Sequence, residues 1–535
     1  MRLRHGRVKQ RMLNPALRRA FSSRSSEIDL LAMKNNLKNR LLIACGPLGL
    51  LMLLGPGMVP NAFAQASGDA ASLAATANVA PAAPLPAAGA TAASASAASA
   101  PASTGFWDRS NLLGDMGGLR TWLGNYGVTI GLQETGEYLS NLSGGTRRGG
   151  AYDGLTEFSL GVDTQKAFGL PGGTFNVSGL QIHGSNLSEQ NLDTLQSASG
   201  LEADDATRLW ELWYQQSLLG GKVDVKVGQQ SLDQEFMASQ NAGVFMNATF
   251  GWSALPTVDL PDGGPAYPLS SLGVRLRAMP SDAITVLAGV FDDSPAGSGA
   301  GDPQQLDPSG TNFNLHDGAL VIGEVQYAIN PAPSGSSGPQ PTGLPGTYKL
   351  GFWYDSGRFT DPGFDSAGQS LANPAGTGVP GTYRGDYSVY AVADQMAWRP
   401  SADSPRSINL FARLMGAPGD RNLVDLGMNA GVTMKAPFAG RDNDVAGLAV
   451  GYAQIGSHAQ DLASAEAAYD VPGYPSRGAE TVVEATYQYQ ITPWWQLQGD
   501  AQYVFHPGGG LPDPDNPARR IGNELVLGVR TSVAF

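Results

Sequence analysis

Beyond residue 126 the chain alternates apolar and polar residues with a period of two. Val223, Val225 and Val227 share one parity, and Lys222, Asp224 and Lys226 the other. Leu272, Val274 and Leu276 alternate with Gly273, Arg275 and Arg277, and Tyr348, Leu350, Phe352 and Tyr354 with Lys349, Gly351, Trp353 and Asp355. The last run puts Leu525, Leu527, Val529, Thr531, Val533 and Phe535 on one face. Period two is the mark of a strand, because successive side chains point to opposite faces. Sixteen such runs are predicted, opening with 127–139, 154–168 and 172–184 and closing with 493–506 and 519–535.

Short turns and long loops alternate between these strands. G-L-P-G-G, L-G-G-K and M-P-S-D are tight, whereas 185–204, 231–268, 292–316, 357–382 and 456–477 are long and rich in Gly, Pro and Asp. An even strand number with this asymmetry describes a transmembrane barrel. A soluble sandwich would bury its apolar face and wet its charged one. In a bilayer the apolar parity meets lipid, the charged parity needs a watery lumen, and closure removes unpaired edges. The predicted fold is therefore all-β: a transmembrane antiparallel β-barrel of about 16 strands over 127–535. Trp398, Trp494 and Trp495 beside short turns suit an interfacial girdle. Leu112, Leu113, Leu119 and Leu123 fall at roughly helical spacing, which predicts a short amphipathic N-terminal helix at the periplasmic mouth, within 106–126.

The N-terminal quarter changes the picture only by locating the protein. Met33 begins a basic stretch, an apolar run follows, and A-F-A precedes Gln65, so 1–64 reads as an extension plus a secretory signal peptide. Residues 65–105 are almost all Ala, Ser, Pro, Gly and Thr, the composition of a flexible linker. Cleavage after Ala64 removes eleven Lys and Arg and two Asp and Glu, leaving 23 basic against 45 acidic residues, a net charge of −22. Cys45, the one cysteine, leaves with the signal. So acidic a chain is a poor nucleic-acid binder. His183, His316, His458 and His506 show no metal or nucleophile spacing, and no G-x-S-x-G occurs. We expect no enzyme, cofactor or metal.

Several stretches carry a family resemblance. L-L-G-D-M-G-G-L-R-T-W-L at 112–123 resembles the entry motif of the carbohydrate-selective porins (OprB type), with Met116 where Trp is usual. L-W-E-L-W-Y-Q-Q at 209–216, K-V-G-Q-Q-S-L-D at 226–233, P-D-G-G-P-A-Y-P-L-S-S-L-G-V-R-L at 261–276, F-A-R-L-M at 411–415 and G-R-D-N-D at 440–444 fit in the same order. The resemblance spans roughly residues 107 to 535. It implies passive diffusion of sugars, as monosaccharides or small oligosaccharides, through the outer membrane. It also implies that the third external loop, 231–268, folds into the lumen and narrows it. The terminal strand ending at Phe535 resembles the signal that outer-membrane assembly machinery reads.

A sugar offers hydroxyl edges and an apolar ring face, so a selective channel sets aromatics beside charged groups, each contact weak enough for release. Parity points Glu211, Trp213 and Gln215 inward, with Lys222, Asp224 and Lys226, with Arg275 and Arg277, and with Arg413. Trp252, Asp259 and Asp262 lie on the third loop, and basic wall residues facing these acids would set up a transverse field. The alternative for each charge is plain solvation by lumen water. Rival functions are a general or cation-favouring porin, suggested by the charge of −22, and a structural barrel held by the linker. Outer-membrane lipid is a necessary partner, and monomer or homotrimer stays open.

Overall fold

The computed structural model describes residues 105–299, 301–331 and 343–535. The signal, and the linker up to residue 104, lie outside the described residues. Sixteen antiparallel strands close a barrel: β1 (Val128–Gly145), β2 (Gly149–Asp163), β3 (Gly173–Gly184), β4 (Ala206–Leu218), β5 (Val223–Gln230), β6 (Ser271–Ser281), β7 (Ile284–Asp292) and β8 (Ala319–Ile329) in the first half. The second half holds β9 (Gly346–Asp365), β10 (Pro380–Trp398), β11 (Ser407–Gly416), β12 (Val424–Lys435), β13 (Val445–Ile455), β14 (Ala479–Thr492), β15 (Trp495–Phe505) and β18 (Gly522–Ala534). Two short strands, β16 (Pro512–Asp513) and β17 (Asn516–Arg520), form a separate hairpin before β18.

β18 pairs with β1 from Gln133↔Ala534 to Gly145↔Gly522, so no barrel edge stays open. Inside this seam Glu137 and Arg530 are direct register partners, and Arg530 Nε donates to Glu137 Oε2 at 2.8 Å. The apolar parity faces outward as expected: Val274, Leu276, Val290, Leu350 and Phe352 are exposed on the side that meets lipid.

Three expectations need correction. The β1–β2 and β9–β10 hairpins rise higher than predicted, and much of 357–382 is strand because Gly357–Asp365 continues the β9 ladder into Pro380–Arg384. The loop 456–477 holds a helix, Ser457–Tyr469. The N-terminal helix is only Leu119–Asn125, preceded by a 3-10 turn, because Gly117 and Gly118 take left-handed φ values of 68° and 98°. Its leucines do not form a packed face: Leu113 and Leu119 are exposed. The segment before it is held by Phe106 and Trp107 packing on Trp494, and by polar contacts. Arg120 donates to Ile130 O at 2.9 Å and to Phe535 O, and Leu112 N–H donates to Ala534 O at 2.8 Å, which caps the edge of β1 below the end of β18.

Candidate functional site

The loop between β5 and β6 turns into the barrel and carries its own apolar cluster. Leu232, Phe236, Met237, Leu255 and Leu260 pack on inward residues of the wall, including Leu287, Ile322, Trp353, Tyr390 and Met415. Phe245 and Phe250 pack on Phe411 and Ala449. Inward positions of β7–β11 are thus partly apolar, against the simple rule of a polar lumen, because the loop and not water covers them. The loop 185–204 also enters, with Leu187 and Leu192 against Leu139 and Val526.

An irregular segment inside a barrel carries backbone groups that no ladder satisfies. Wall carboxylates take its N–H groups. Glu324 accepts from Met237 N at 2.8 Å, Asp394 from Ser239 Oγ at 2.6 Å and Asn241 N at 3.2 Å, and Glu484 from Met246 N at 2.6 Å and Asn247 N at 2.9 Å. Glu480 does the same for Leu195 N and Gln196 N of the other loop, both at 2.8 Å. Wall cations take the carbonyls. Lys349 Nζ donates to Ala238 O at 2.7 Å. Arg413, buried, donates to Met237 O at 3.0 Å, Gly251 O at 2.8 Å and Thr249 O, with Nε on Asn429 Oδ1 at 2.9 Å. Arg413 therefore holds the loop and does not face a passing solute.

Opposite this anchorage, β4, β5 and β6 carry a connected charge cluster. Gln215, Lys226 and Arg275 form one cross-strand row, with Asp224 and Arg277 in the next. Asp224 binds both guanidinium groups, with Arg277 Nε at 2.6 Å. Glu235, from the loop, binds Lys226 and Arg275, accepting from Arg275 Nη2 at 2.9 Å. Arg275 Nη2 also donates to Gln215 Oε1 at 3.1 Å. Trp213 donates its indole N–H to Glu211 Oε2 at 3.1 Å, and the Lys226 ammonium stands 4.7 Å over its ring. Glu211 in turn accepts from Ser231 N at 3.2 Å. Burial would lift the Glu235 carboxyl, but Lys226 and Arg275 outweigh it and hold that carboxyl down at about 2. The side chains of Arg277 and Glu235 keep 22% and 23% exposure, while Arg275 keeps 3%, so the cluster meets lumen water through those two.

The other expected residues lie elsewhere. Asp259 is not opposite Arg275 and Arg277: it is buried across the barrel, accepting Leu423 N at 3.1 Å and Val424 N at 3.2 Å. Burial pushes its carboxyl well up, and Asp386 and Asp425 push the same way. Asp262 accepts from Ser294 Oγ at 2.8 Å and Ala296 N at 3.1 Å, pinning the loop to the next external connection, and burial raises its carboxyl too. Trp252 ties its indole N–H to Gly263 O at 3.0 Å, a brace within the loop. Lys222 is exposed at the turn before β5, apart from the cluster. Trp213 is buried under Lys226, so neither tryptophan offers the open stacking face expected of it. Glu235, which closes the cluster, escaped the sequence reading. Its one signal is the single glutamate of 231–268, just ahead of Phe236 and Met237 in a loop otherwise taken as turn-forming.

The comparisons agree with this architecture. A family model described as carbohydrate-selective porin, OprB family, matches residues 147–535. Porin B of Pseudomonas aeruginosa is 27% identical over 447 residues, spanning 79% of this chain and 91% of its own. The putative porin QuiX of Acinetobacter baylyi is 23% identical over 425 residues, spanning 76% and 90%. The high-pH structure of Pseudomonas putida OprB superposes with a TM-score of 0.69 at 25% identity, covering 81% of this chain and 100% of that one.

Proposed function

The chain belongs to the carbohydrate-selective porin family, OprB type, and from that premise we propose that sugars pass beside the Glu235–Arg277 edge of the inward loop. The protein is an integral β-barrel of the outer membrane, a porin for passive, carbohydrate-selective diffusion of sugars. Its family and fold are those of a channel.

The observation that carries the proposal is the balance of the wall cluster. Lys226, Arg275 and Arg277 are met by Asp224 and Glu235, with Glu211 beside them through Trp213. Fixed charges paired this way exert little net pull on an ion, yet leave a guanidinium and a carboxylate edge in water. A neutral sugar can exchange its hydration for such donors and acceptors, each contact weak enough for release. The overall acidity of the chain therefore does not translate into a cation-selective constriction. Liposomes loaded with this porin should swell in monosaccharides and more slowly in larger oligosaccharides. Equal swelling in sugars and in uncharged non-sugar solutes of the same size would count against selectivity at this edge.

Insertion by the assembly machinery through the strand ending at Phe535 is part of the same reading. It is supported by the seam contacts of Phe535, whose N–H donates to Leu132 O at 2.9 Å.

A further inference from the structure

Three buried oxygens meet where the inward loop touches the wall near the long-loop end of the barrel. The helical turn Ala254–Asp259 ends on Asp259, which lies against the connection between β11 and β12. Asp259 Oδ1 takes the N–H groups of Leu423 and Val424, and among the described residues its Oδ2 accepts no hydrogen bond. Asn422, one residue earlier, turns its amide on Asp386 of β10, with Nδ2 donating to Oδ1 at 2.9 Å. Asp386 Oδ2 and Asn422 Oδ1 likewise find no donor among the described residues. All three side chains are buried: Asp386 is 0% exposed, Asn422 1% and Asp259 8%. Buried oxygens ordinarily find a donor, and buried charges an opposite charge or a metal.

Opposite charge is scarce at this place. Asp386 stands in register with Asp355 of β9, also 0% exposed, so two carboxylates oppose each other across the sheet. Like charges so placed repel. Asp293 adjoins Asp355, and Asp425 adjoins Asp259, both adding to the same sign. The guanidinium of Arg421 acts on Asp386 but is turned to Asp420 at 2.8 Å and to Gly385 O at 2.9 Å. Among the described residues none of Asp259, Asp355 and Asp386 joins an ion pair.

We infer that Asp259, Asp386 and Asn422 bind a divalent cation of the calcium class. The donor set is all oxygen, two carboxylates and an amide carbonyl, from three separate stretches of chain. Calcium accepts about six to eight oxygens in flexible geometry, waters and backbone carbonyls included, whereas magnesium demands a near-ideal octahedron. Among the described residues no three carboxylates, histidines or cysteines stand together at metal-holding spacing. The site therefore has two charged ligands, which sets its dissociation constant at roughly 10⁻⁴–10⁻³ M, the weak range of extracellular sites. The ion clips the end of the helical turn to β10 and to the β11–β12 connection. Calcium outside the cell thus sets how firmly the inward loop is held, whichever solute passes the channel.

Calcium titration of the chelator-washed, detergent-solubilised barrel tests the site. At constant ionic strength calcium should raise the unfolding temperature of the parent chain, and magnesium should raise it less. Asp386→Asn and Asp259→Asn keep the side-chain shape and should abolish that rise, together with the calcium bound in equilibrium dialysis. Asp515→Asn, which alters an exposed carboxylate between β16 and β17, should keep both. The parent's response stands by itself should a variant fail to fold. A parent whose unfolding temperature ignores calcium overturns the inference and leaves these acids holding protons. Equal calcium binding by the parent and a folded Asp386→Asn also overturns it, because the ion then sits elsewhere, on another acidic loop or on bound lipid.

Discussion

Lys226 and Arg275 face each other directly across β5 and β6, two cations side by side on the lumen wall. Like charges directly opposite destabilise a sheet. Here the pair is tolerated because Glu235 reaches in from the loop and binds both, while Asp224 takes the second edge of Arg275. The loop position and the wall charge are thus one feature: the wall repels itself unless the loop is seated.

Glu235→Gln should unseat that edge. The variant keeps the size of the side chain but leaves the cations uncompensated, at a cost of about 1–3 kcal/mol. Reconstituted channels should become more anion-favouring, read as a shift of the zero-current potential in a salt gradient. An unchanged potential would mean that the cluster lies off the ion path.

Acid should mimic the substitution. The Glu235 carboxyl sits at about 2 when folded, below the ordinary unfolded value of about 4.3. Its contribution is complete above the unfolded value and is lost as pH falls through the folded one. Barrel stability should therefore fall between roughly pH 4 and 2, seen as a lower unfolding temperature, and should fall by less in Glu235→Gln.

Arg413→Ala removes the donor for three loop carbonyls at once. Charge-assisted bonds of this kind contribute about 1.5–3 kcal/mol each, so the loop should loosen while the outer ladder stays intact. Single-channel conductance should rise and sugar block should weaken. A conductance equal to that of the parent chain would show the loop held elsewhere.

Arg277→Ala and Arg275→Ala should differ. Arg277 keeps 22% side-chain exposure and ends the cluster, so its loss should weaken sugar block with little change in stability. Arg275 is buried between Asp224 and Glu235, and removing it leaves Asp224 to Arg277 alone and Glu235 to Lys226 alone. That variant should lose about 1.5–3 kcal/mol, seen as a lower unfolding temperature of the detergent-solubilised barrel.

Strand number and the lipid-facing parity were legible because a bilayer enforces a strict period of two. The inward direction of Arg275 and Arg277 followed from Val274 and Leu276 for the same reason. Their partners were not legible. Asp259 and Asp262 are near in sequence, yet the loop crosses the barrel before reaching them and gives them to Leu423, Val424, Ser294 and Ala296. Which acid meets which base is set by how far the loop travels, and turn-forming residues carry no period that records it. One signal was present and unread: A-L-V-I at 319–322 is apolar on both parities, as only a strand covered on both faces would be. It marks the wall on which the loop packs.

The central claim is a sugar-selective path beside a charge-balanced edge. Conductance of single channels in planar bilayers, titrated with glucose or maltose under a salt gradient, tests it most directly. The account predicts reversible block that deepens with sugar concentration, together with weak ion selectivity. Indifference to both sugars combined with strong cation selectivity would contradict it.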